Sequence, residues 1–220
     1  MITSLPIKNK LYGLVVCGGS SSRMGFDKST IVYQEEAQWL YIHNMLATFC
    51  DQVLISCNAG QAYQFGAGHK ILADADGYKY IGPMAAILTA FSKYPGNDFL
   101  VVGCDYPFVS GQDLRSFLQS SKDSRIAAAF YNVEENLYEP LLALYTSKAG
   151  PLLLSLFEQG RHSLQYFLRT VDACKYFPTE KKIIKSIDTR EDLEWAKKEL
   201  QKRQYQLQKP NAWNLHRSLI

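Results

Sequence analysis

The residues best suited to chemistry lie in a polar loop near the amino terminus, CGGSSSRMGFDK. The loop follows an apolar run, Leu11–Val16, which is typical of a buried strand. Gly18 and Gly19 let backbone N–H groups approach an anion closely, because glycine carries no side chain. Arg23 and Lys28 add positive charge that can neutralise phosphate oxygens. The loop therefore favours phosphate or nucleotide binding, and a polar strand-to-helix turn is the alternative interpretation.

The loop differs from two common nucleotide-binding loops. A P-loop requires G-x-x-x-x-G-K-[ST], but five residues separate Gly19 from Gly25, and Phe26 and Asp27 intervene before Lys28. No G-x-G-x-x-G follows the strand, so the loop is not a dinucleotide fingerprint. Asp27 either orients Lys28 or is a solvated turn residue.

Two carboxylates follow other apolar runs, at the strand ends where ligands bind in open α/β sheets. Asp105 follows the run 99–103, and a carboxylate at that place suits Mg²⁺. The alternative is that Asp105 caps a helix that begins near Gly111. Asp74 follows the run 70–72 and can accept hydrogen bonds from a base edge, a ribose or an amine. It can also be an ordinary acidic loop residue.

The order of apolar and amphipathic segments predicts one α/β domain. Short apolar runs alternate with longer amphipathic ones, which is typical of a mainly parallel sheet with helices on both faces. The predicted strands are 11–16, 52–57, 70–72, 99–103, 126–130 and 141–145, and the predicted helices are 38–50, 82–93, 111–121, 147–159, 164–169 and 190–203. We expect the domain to cover residues 1–203 and a polar tail to cover 204–220.

Composition narrows the class of protein. The chain has 220 residues, 47% hydrophobic and 20% charged, as in an ordinary globular domain. The net charge of +3 is too small to indicate nucleic-acid binding. We expect no membrane segment, because no apolar stretch has spanning length, and no signal peptide. The five cysteines lack C-x-x-C spacing, which favours reduced thiols in the cytoplasm over zinc ligands.

Six segments together resemble the molybdenum cofactor guanylyltransferases, over about residues 11–200. They are CGGSSSRMGFDK, GPMAAIL, VVGCDYPF, EPLLALY, RHSLQYFL and SIDTREDL. The resemblance implies a single Rossmann-like domain of the nucleotidyltransferase type, with a mixed sheet, that uses GTP and Mg²⁺. It also implies transfer of GMP to the terminal phosphate of molybdopterin-bound molybdenum, with release of pyrophosphate. Segments 138–145 and 161–164 are candidates for shaping the acceptor side.

The resemblance also assigns roles to residues by their position in the motifs. The implied GTP contacts are Val16, Cys17, Gly18, Lys28 and Asp74, and Gly19 of the loop and Asp105 complete the predicted nucleotide-binding set. Asp105 is the implied magnesium ligand. Cys17 stands where the family commonly has alanine, and Ser186 stands where it commonly has asparagine. Asp188 is a second candidate ligand for magnesium.

We expect Arg23 and Lys28 to hold the departing pyrophosphate while Mg²⁺ on Asp105 bridges phosphate oxygens. These three residues are the predicted catalytic set. The predicted partners are GTP, molybdopterin-bound molybdenum, and proteins that insert molybdenum or deliver the finished cofactor. Two alternatives stay open at this point: another nucleotidyltransferase that forms a cytidylyl or sugar nucleotide, and a non-catalytic nucleotide-binding regulator.

Overall fold

The computed structural model describes residues 9–17, 28–33 and 35–208. The predicted site residues Gly18, Gly19 and Arg23 lie outside the described residues. The centre of the fold is a seven-stranded sheet with the order β3-β2-β1-β4-β6-β5-β7. Its strands are β1 Leu11–Val16, β2 Gln52–Cys57, β3 Lys70–Ala73, β4 Asp98–Gly103, β5 Ala127–Asn132, β6 Leu137–Tyr145 and β7 Cys174–Tyr176.

Helices cover both faces of this sheet because the buried strands are apolar on both sides. The helices are α1 Gln38–Ala47, α2 Met84–Lys93, α3 Gly111–Ser120, α4 Ala149–Glu158, α5 Leu164–Thr170 and α6 Arg190–Gln208. In β1, Leu14 and Val16 pack in a core with α2, α4 and α5. Val15, in the same strand, packs in a second core with α1 and α3. The predicted α/β fold is confirmed.

The sheet is parallel except at β6. In the described part of the chain, β6 alone runs antiparallel to its neighbours β4 and β5. Strand β1 pairs with β2 on one side and with β4 on the other. The strand order therefore reverses at β1: β2 and β3 are added on one side of it, and β4 on the opposite side. Such a reversal opens a crevice at the carboxyl ends of the two strands, which is the usual ligand position in α/β sheets.

The predicted elements were correct in type, and the differences lie mainly at β6 and β7. Strand β6 begins at Leu137 rather than residue 141, although Pro140 lacks the N–H that a ladder uses. Pro140 fits because its stretch of β6 is opposite a register shift in β5, between Ala129 and Phe130. The three-residue β7 was not predicted. It has no apolar run, and pairing with β5 defines it.

Helix α6 is longer than predicted, and its apolar residues pack in a third, smaller core. Its residues Leu193, Ala196 and Leu200 form a small core with Phe108 and Ile31. No helix in the described ranges is both long enough and apolar enough to cross a membrane.

Candidate active site

The crevice is formed where β1 and β4 end side by side. The last residues of the two strands, Val16 and Gly103, are register partners. One residue further on, the backbone N–H of Cys104 donates to the carbonyl oxygen of Val16 at 3.1 Å. The predicted residues Val16, Cys17 and Asp105 therefore lie at one place in the fold. The loop 18–27 that follows Cys17 is outside the described residues, and the described chain resumes at Lys28.

Asp105 is a buried carboxylate without a full set of partners. Its Oδ1 atom is shielded from solvent and has no hydrogen-bond partner among the residues that the structure describes. Burial raises the pKa of Asp105 to about 6, although the positive charge of Lys28 opposes that rise. The alternative role as a helix cap is wrong, because Ser110 caps α3 and accepts a hydrogen bond from the Asp113 N–H. Asp105 is thus available to a ligand in the crevice.

Lys28 and Asp188 form an ion pair beside Asp105. Lys28 Nζ lies 2.6 Å from Asp188 Oδ1. The other carboxylate oxygen accepts a hydrogen bond from Ser186 Oγ at 2.7 Å. Burial favours the neutral form of Asp188, but these two hydrogen bonds outweigh it and hold the pKa below its usual value. The N–H of Ile187 donates to the Asp105 carbonyl at 2.9 Å, so the segment bearing Asp188 is attached to the end of β4.

Asp105 and Asp188 fit a magnesium ion. Within the ranges that the structure describes, no group of three or more His, Cys, Asp or Glu side chains could hold a metal. Mg²⁺ needs no such group, since proteins commonly hold it by one or two carboxylates together with substrate phosphates. The observation that supports the fit is the buried Oδ1 of Asp105: no donor in the described part of the chain satisfies it, and a buried acceptor of this kind indicates a further partner.

Asp74 lies at the same edge of the sheet, after β3. Two strands, β2 and β1, separate β3 from β4, so Asp74 is distant in the sheet order from Asp105. Its Oδ1 is also buried, with no partner in the described ranges, and burial raises the pKa of Asp74 although a hydrogen bond with Ser56 opposes the rise. The next residue, Ala75, donates its N–H to Thr89 Oγ1 at 3.0 Å, which fixes the turn after the strand. This position suits contact with the nucleoside end of a nucleotide.

Sequence reasoning did not identify a partly buried pair beside the crevice, Tyr106 and Glu139. The Tyr106 hydroxyl donates to Glu139 Oε2 at 2.8 Å. Burial raises the pKa of Glu139 to about 7, the hydrogen bond from Tyr106 lowers it, and the charge of Asp105 raises it further. Burial is the main cause of both raised pKa values, at Asp105 and at Glu139, and a cation bound beside them would favour the ionised forms.

A groove of about 630 Å³ borders Glu139 and Asp188. Its walls come from the β5–β6 hairpin, α5, the segment 181–188 and α6. The lining residues are Asn132, Glu134, Glu135, Leu137, Tyr138, Glu139, Pro140, Gln165, Lys181, Lys182, Ile184, Lys185, Ser186, Asp188, Asp192 and Trp195. Part of the predicted acceptor segment 138–145 therefore lies in this groove. The residues of segment 161–164 do not line it, and the Arg161 guanidinium instead lies 4.7 Å from the centre of the Tyr166 ring.

Gly103→Ala is expected to impair the site more than the fold. A Cβ atom at position 103 would lie 2.5 Å from Asp105 Oδ1 and 3.2 Å from Leu141 Cβ. The Asp105 side chain can rotate away, so we expect kcat to fall about tenfold or more with only a small loss of thermal stability. Steady-state rates and a melting curve check this.

Gly111→Ala is the matched control, since its Cβ would make only ordinary contacts, at 3.9 Å or more, with Phe49 and Met45. If kcat were unchanged in both Gly103→Ala and this control, the placement of the Asp105 side chain would not be important for the rate.

Comparisons with known proteins bear on the family and the fold of this chain. Residues 13–174 match the family model for the MobA-like NTP transferase domain. The chain is 34% identical over 152 residues to a molybdenum cofactor biosynthesis bifunctional protein of Synechocystis sp., which covers 69% of this chain and 42% of the relative. The chain thus spans less than half the length of that relative.

In two further comparisons, the match covers most of both proteins. The chain is 30% identical over 165 residues to a probable molybdenum cofactor guanylyltransferase of Halalkalibacterium halodurans, covering 73% of this chain and 82% of the relative. The solved structure of molybdopterin-guanine dinucleotide biosynthesis protein A from Archaeoglobus fulgidus superposes with a TM-score of 0.71 and 22% identity. It covers 87% of this chain and 99% of the other, and at this identity the likeness concerns the fold.

Proposed function

This chain belongs to the MobA-like NTP transferase family, and we propose that it transfers GMP from GTP to the terminal phosphate of molybdenum-molybdopterin, releasing pyrophosphate. The Halalkalibacterium relative is named a probable molybdenum cofactor guanylyltransferase, which supports this choice of substrates, and the name of the Synechocystis relative supports a role in molybdenum cofactor biosynthesis. The observation that carries the proposal is the buried Asp105 Oδ1 at the crevice, beside the Lys28–Asp188 pair; no residue in the described part of the chain forms a hydrogen bond with it. We further propose that the protein acts in the cytoplasm, together with proteins that supply molybdenum or receive the cofactor.

The reaction needs positive charge more than it needs a strong base. The attacking group is a phosphate monoester, which is largely ionised near neutral pH. Two unit charges about 4 Å apart repel by roughly 4 kcal/mol at an effective dielectric constant of about 20, so several phosphate oxygens cannot converge unaided. The task of the protein is therefore to orient the two substrates and to neutralise them.

Lys28 is placed to neutralise the leaving pyrophosphate. Its ammonium group has three donors, and Asp188 Oδ1 accepts from one of them. The side chain is 21% exposed, so phosphate oxygens can reach the remaining donors. We propose that Lys28 binds GTP phosphates together with Arg23 and the backbone of Gly18 and Gly19, which the sequence pattern assigns to phosphate.

The carboxylates Asp105 and Asp188 would hold Mg²⁺, with phosphate oxygens completing its coordination. The ion would supply charge neutralisation at the α-phosphate and the leaving group. Without a cation, the raised pKa of Asp105 keeps part of this carboxyl group protonated near pH 6. Binding of a cation favours the ionised form, so Asp105 would release its proton as the site fills.

We propose that the acceptor occupies the groove beside Asp188. Asp188, one of the two proposed magnesium ligands, lines the groove, which has an aromatic wall at Trp195 with the Lys185 ammonium 5.4 Å from the centre of its ring. A planar heterocycle can pack on an indole, and lysines can contact an acceptor phosphate. The acidic residues in the same groove, such as Glu134 and Asp192, set a limit on how much anionic charge it can hold.

Nucleotide selectivity tests this function. We expect GTP with Mg²⁺ to raise the melting temperature more than CTP, UTP or ATP does, and pyrophosphate release to require molybdenum-molybdopterin as well. A preference for CTP or UTP would favour a cytidylyl- or sugar-nucleotide-forming enzyme. Binding of GTP without any pyrophosphate release in the presence of the acceptor would favour a nucleotide-binding regulator.

A further inference from the structure

Two buried cysteines meet at the crevice, one at the end of each central strand. The Sγ atoms of Cys17 and Cys104 lie 3.1 Å apart. Their residues are 7% and 5% exposed, so the pair lies in the interior just beneath the site. Of the other cysteines, Cys57 at the end of β2 is buried in the same core as this pair, whereas Cys50 follows α1 and Cys174 lies in β7.

The backbone around this pair suits a disulfide. Hydrogen-bonded neighbouring strands are about 4.8 Å apart, which is within the Cα separation that a disulfide needs. Cys17 donates its N–H to the Ser56 carbonyl at 2.8 Å, and Cys104 donates to the Val16 carbonyl at 3.1 Å, so both backbones are fixed in the sheet. A disulfide has an S–S length of about 2.05 Å, so the two sulfur atoms need to approach by about 1 Å.

Each of the two cysteines is also next in sequence to one part of the proposed site. Cys17 immediately precedes the glycine loop, and Cys104 immediately precedes Asp105. A bond between them would connect the start of the phosphate-binding loop to the carboxylate that is proposed to hold Mg²⁺. A shift of about 1 Å in such a group can reduce a rate about 100-fold, because the reacting groups then lose their alignment.

We propose that Cys17 and Cys104 form a reversible disulfide when the protein meets hydrogen peroxide, and that the oxidised protein loses nucleotidyl transfer. One thiolate attacks a peroxide oxygen, the O–O bond breaks, and a sulfenic acid and one water result. The second sulfur then attacks the sulfenic sulfur, the S–O bond breaks, and a second water leaves. In sum, two thiols and one hydrogen peroxide give one disulfide and two waters. A dithiol reverses the reaction by exchange. The loss of activity rests on the proposed function, whereas the bond itself does not.

Peptide mapping of the full chain tests the bond directly. The protein is treated with hydrogen peroxide, alkylated and digested with trypsin. We expect peptide 11–23 to be joined to peptide 94–115, the intact mass to fall by two hydrogens, and dithiothreitol to restore both. Absence of this linked peptide in the oxidised protein would overturn the proposal.

Variants test whether this bond controls activity. Cys104→Ser, with Cys104→Ala as a second variant if serine destabilises the core, is expected to keep its activity in peroxide and to form no linked peptide. Cys174→Ser removes the exposed cysteine of β7 and is the control, so it should lose activity about 100-fold in peroxide, as the wild type does. Equal sensitivity of Cys104→Ser and the wild type would overturn the proposal, as would a linked but fully active protein. If the reduced protein turned over no GTP, the proposed function would be wrong. The peptide map would still show whether the disulfide forms.

Discussion

Asp105→Asn is expected to lower kcat at least about 100-fold while the protein stays folded. The asparagine keeps the shape of the side chain but removes the negative charge that the crevice offers to a cation. Rates of pyrophosphate release over a range of Mg²⁺ concentrations measure the effect. Asp98→Asn is the matched control, because Asp98 begins the same strand at its opposite end and accepts a hydrogen bond from the Ser147 N–H. A kcat for Asp105→Asn within a few-fold of the wild type would refute the assignment.

The same substitution has a predicted effect on stability as a function of pH. Burial raises the pKa of Asp105 from 3.8 to about 6 in the folded protein, so the neutral form is the stabilising one. This contribution is complete below about pH 4 and is lost as the pH rises through about 6. The substituted amide does not titrate. The free energy of unfolding of Asp105→Asn, relative to that of the wild type, should therefore increase as the pH rises between these values. Denaturant unfolding at pH 4, 5, 6 and 7 measures it, and a constant difference would contradict the burial argument.

Lys28→Ala is expected to reduce kcat/KM for GTP about 100-fold. In the wild type, the Lys28 ammonium lies 2.6 Å from Asp188, and its positive charge lowers the pKa of Asp105. The substitution removes this charge. The pKa of Asp105 should therefore rise further, and the acid limb of the pH–rate profile should move to higher pH. Stability should change little, because a partly exposed ion pair contributes up to about 1 kcal/mol.

Lys79→Ala provides the control for this prediction. Lys79 forms an ion pair of the same length, 2.6 Å, with Asp76, but in an exposed turn. It should leave both kcat/KM and the pH profile unchanged. Lys28→Arg keeps the charge with a different shape, and we expect it to recover part of the activity. If Lys28→Ala lowered the melting temperature strongly without changing the pH profile, its role would be structural rather than catalytic.

Local patterns in the sequence were sufficient to predict several strands and several candidate site residues of this protein. Apolar runs identified β1, β2 and β4, since strands buried on both faces have continuous hydrophobic character. The residues that follow such strands, Asp105 above all, were recognisable as site residues because α/β sheets bind ligands at those ends. The glycine loop was recognisable from composition alone, and the roles of Gly18, Gly19 and Arg23 remain predictions.

The tertiary structure alone decided which distant residues meet. Lys28 pairs with Asp188 across 160 positions of sequence, and no local pattern encodes that contact. The Tyr106–Glu139 pair depends on the antiparallel pairing of β6 beside β4. The contact between Cys17 and Cys104 likewise depends on the register of β1 with β4. Periodicity reports which face of an element is buried, whereas strand order and register determine its neighbours, and these follow from the packing of the whole chain.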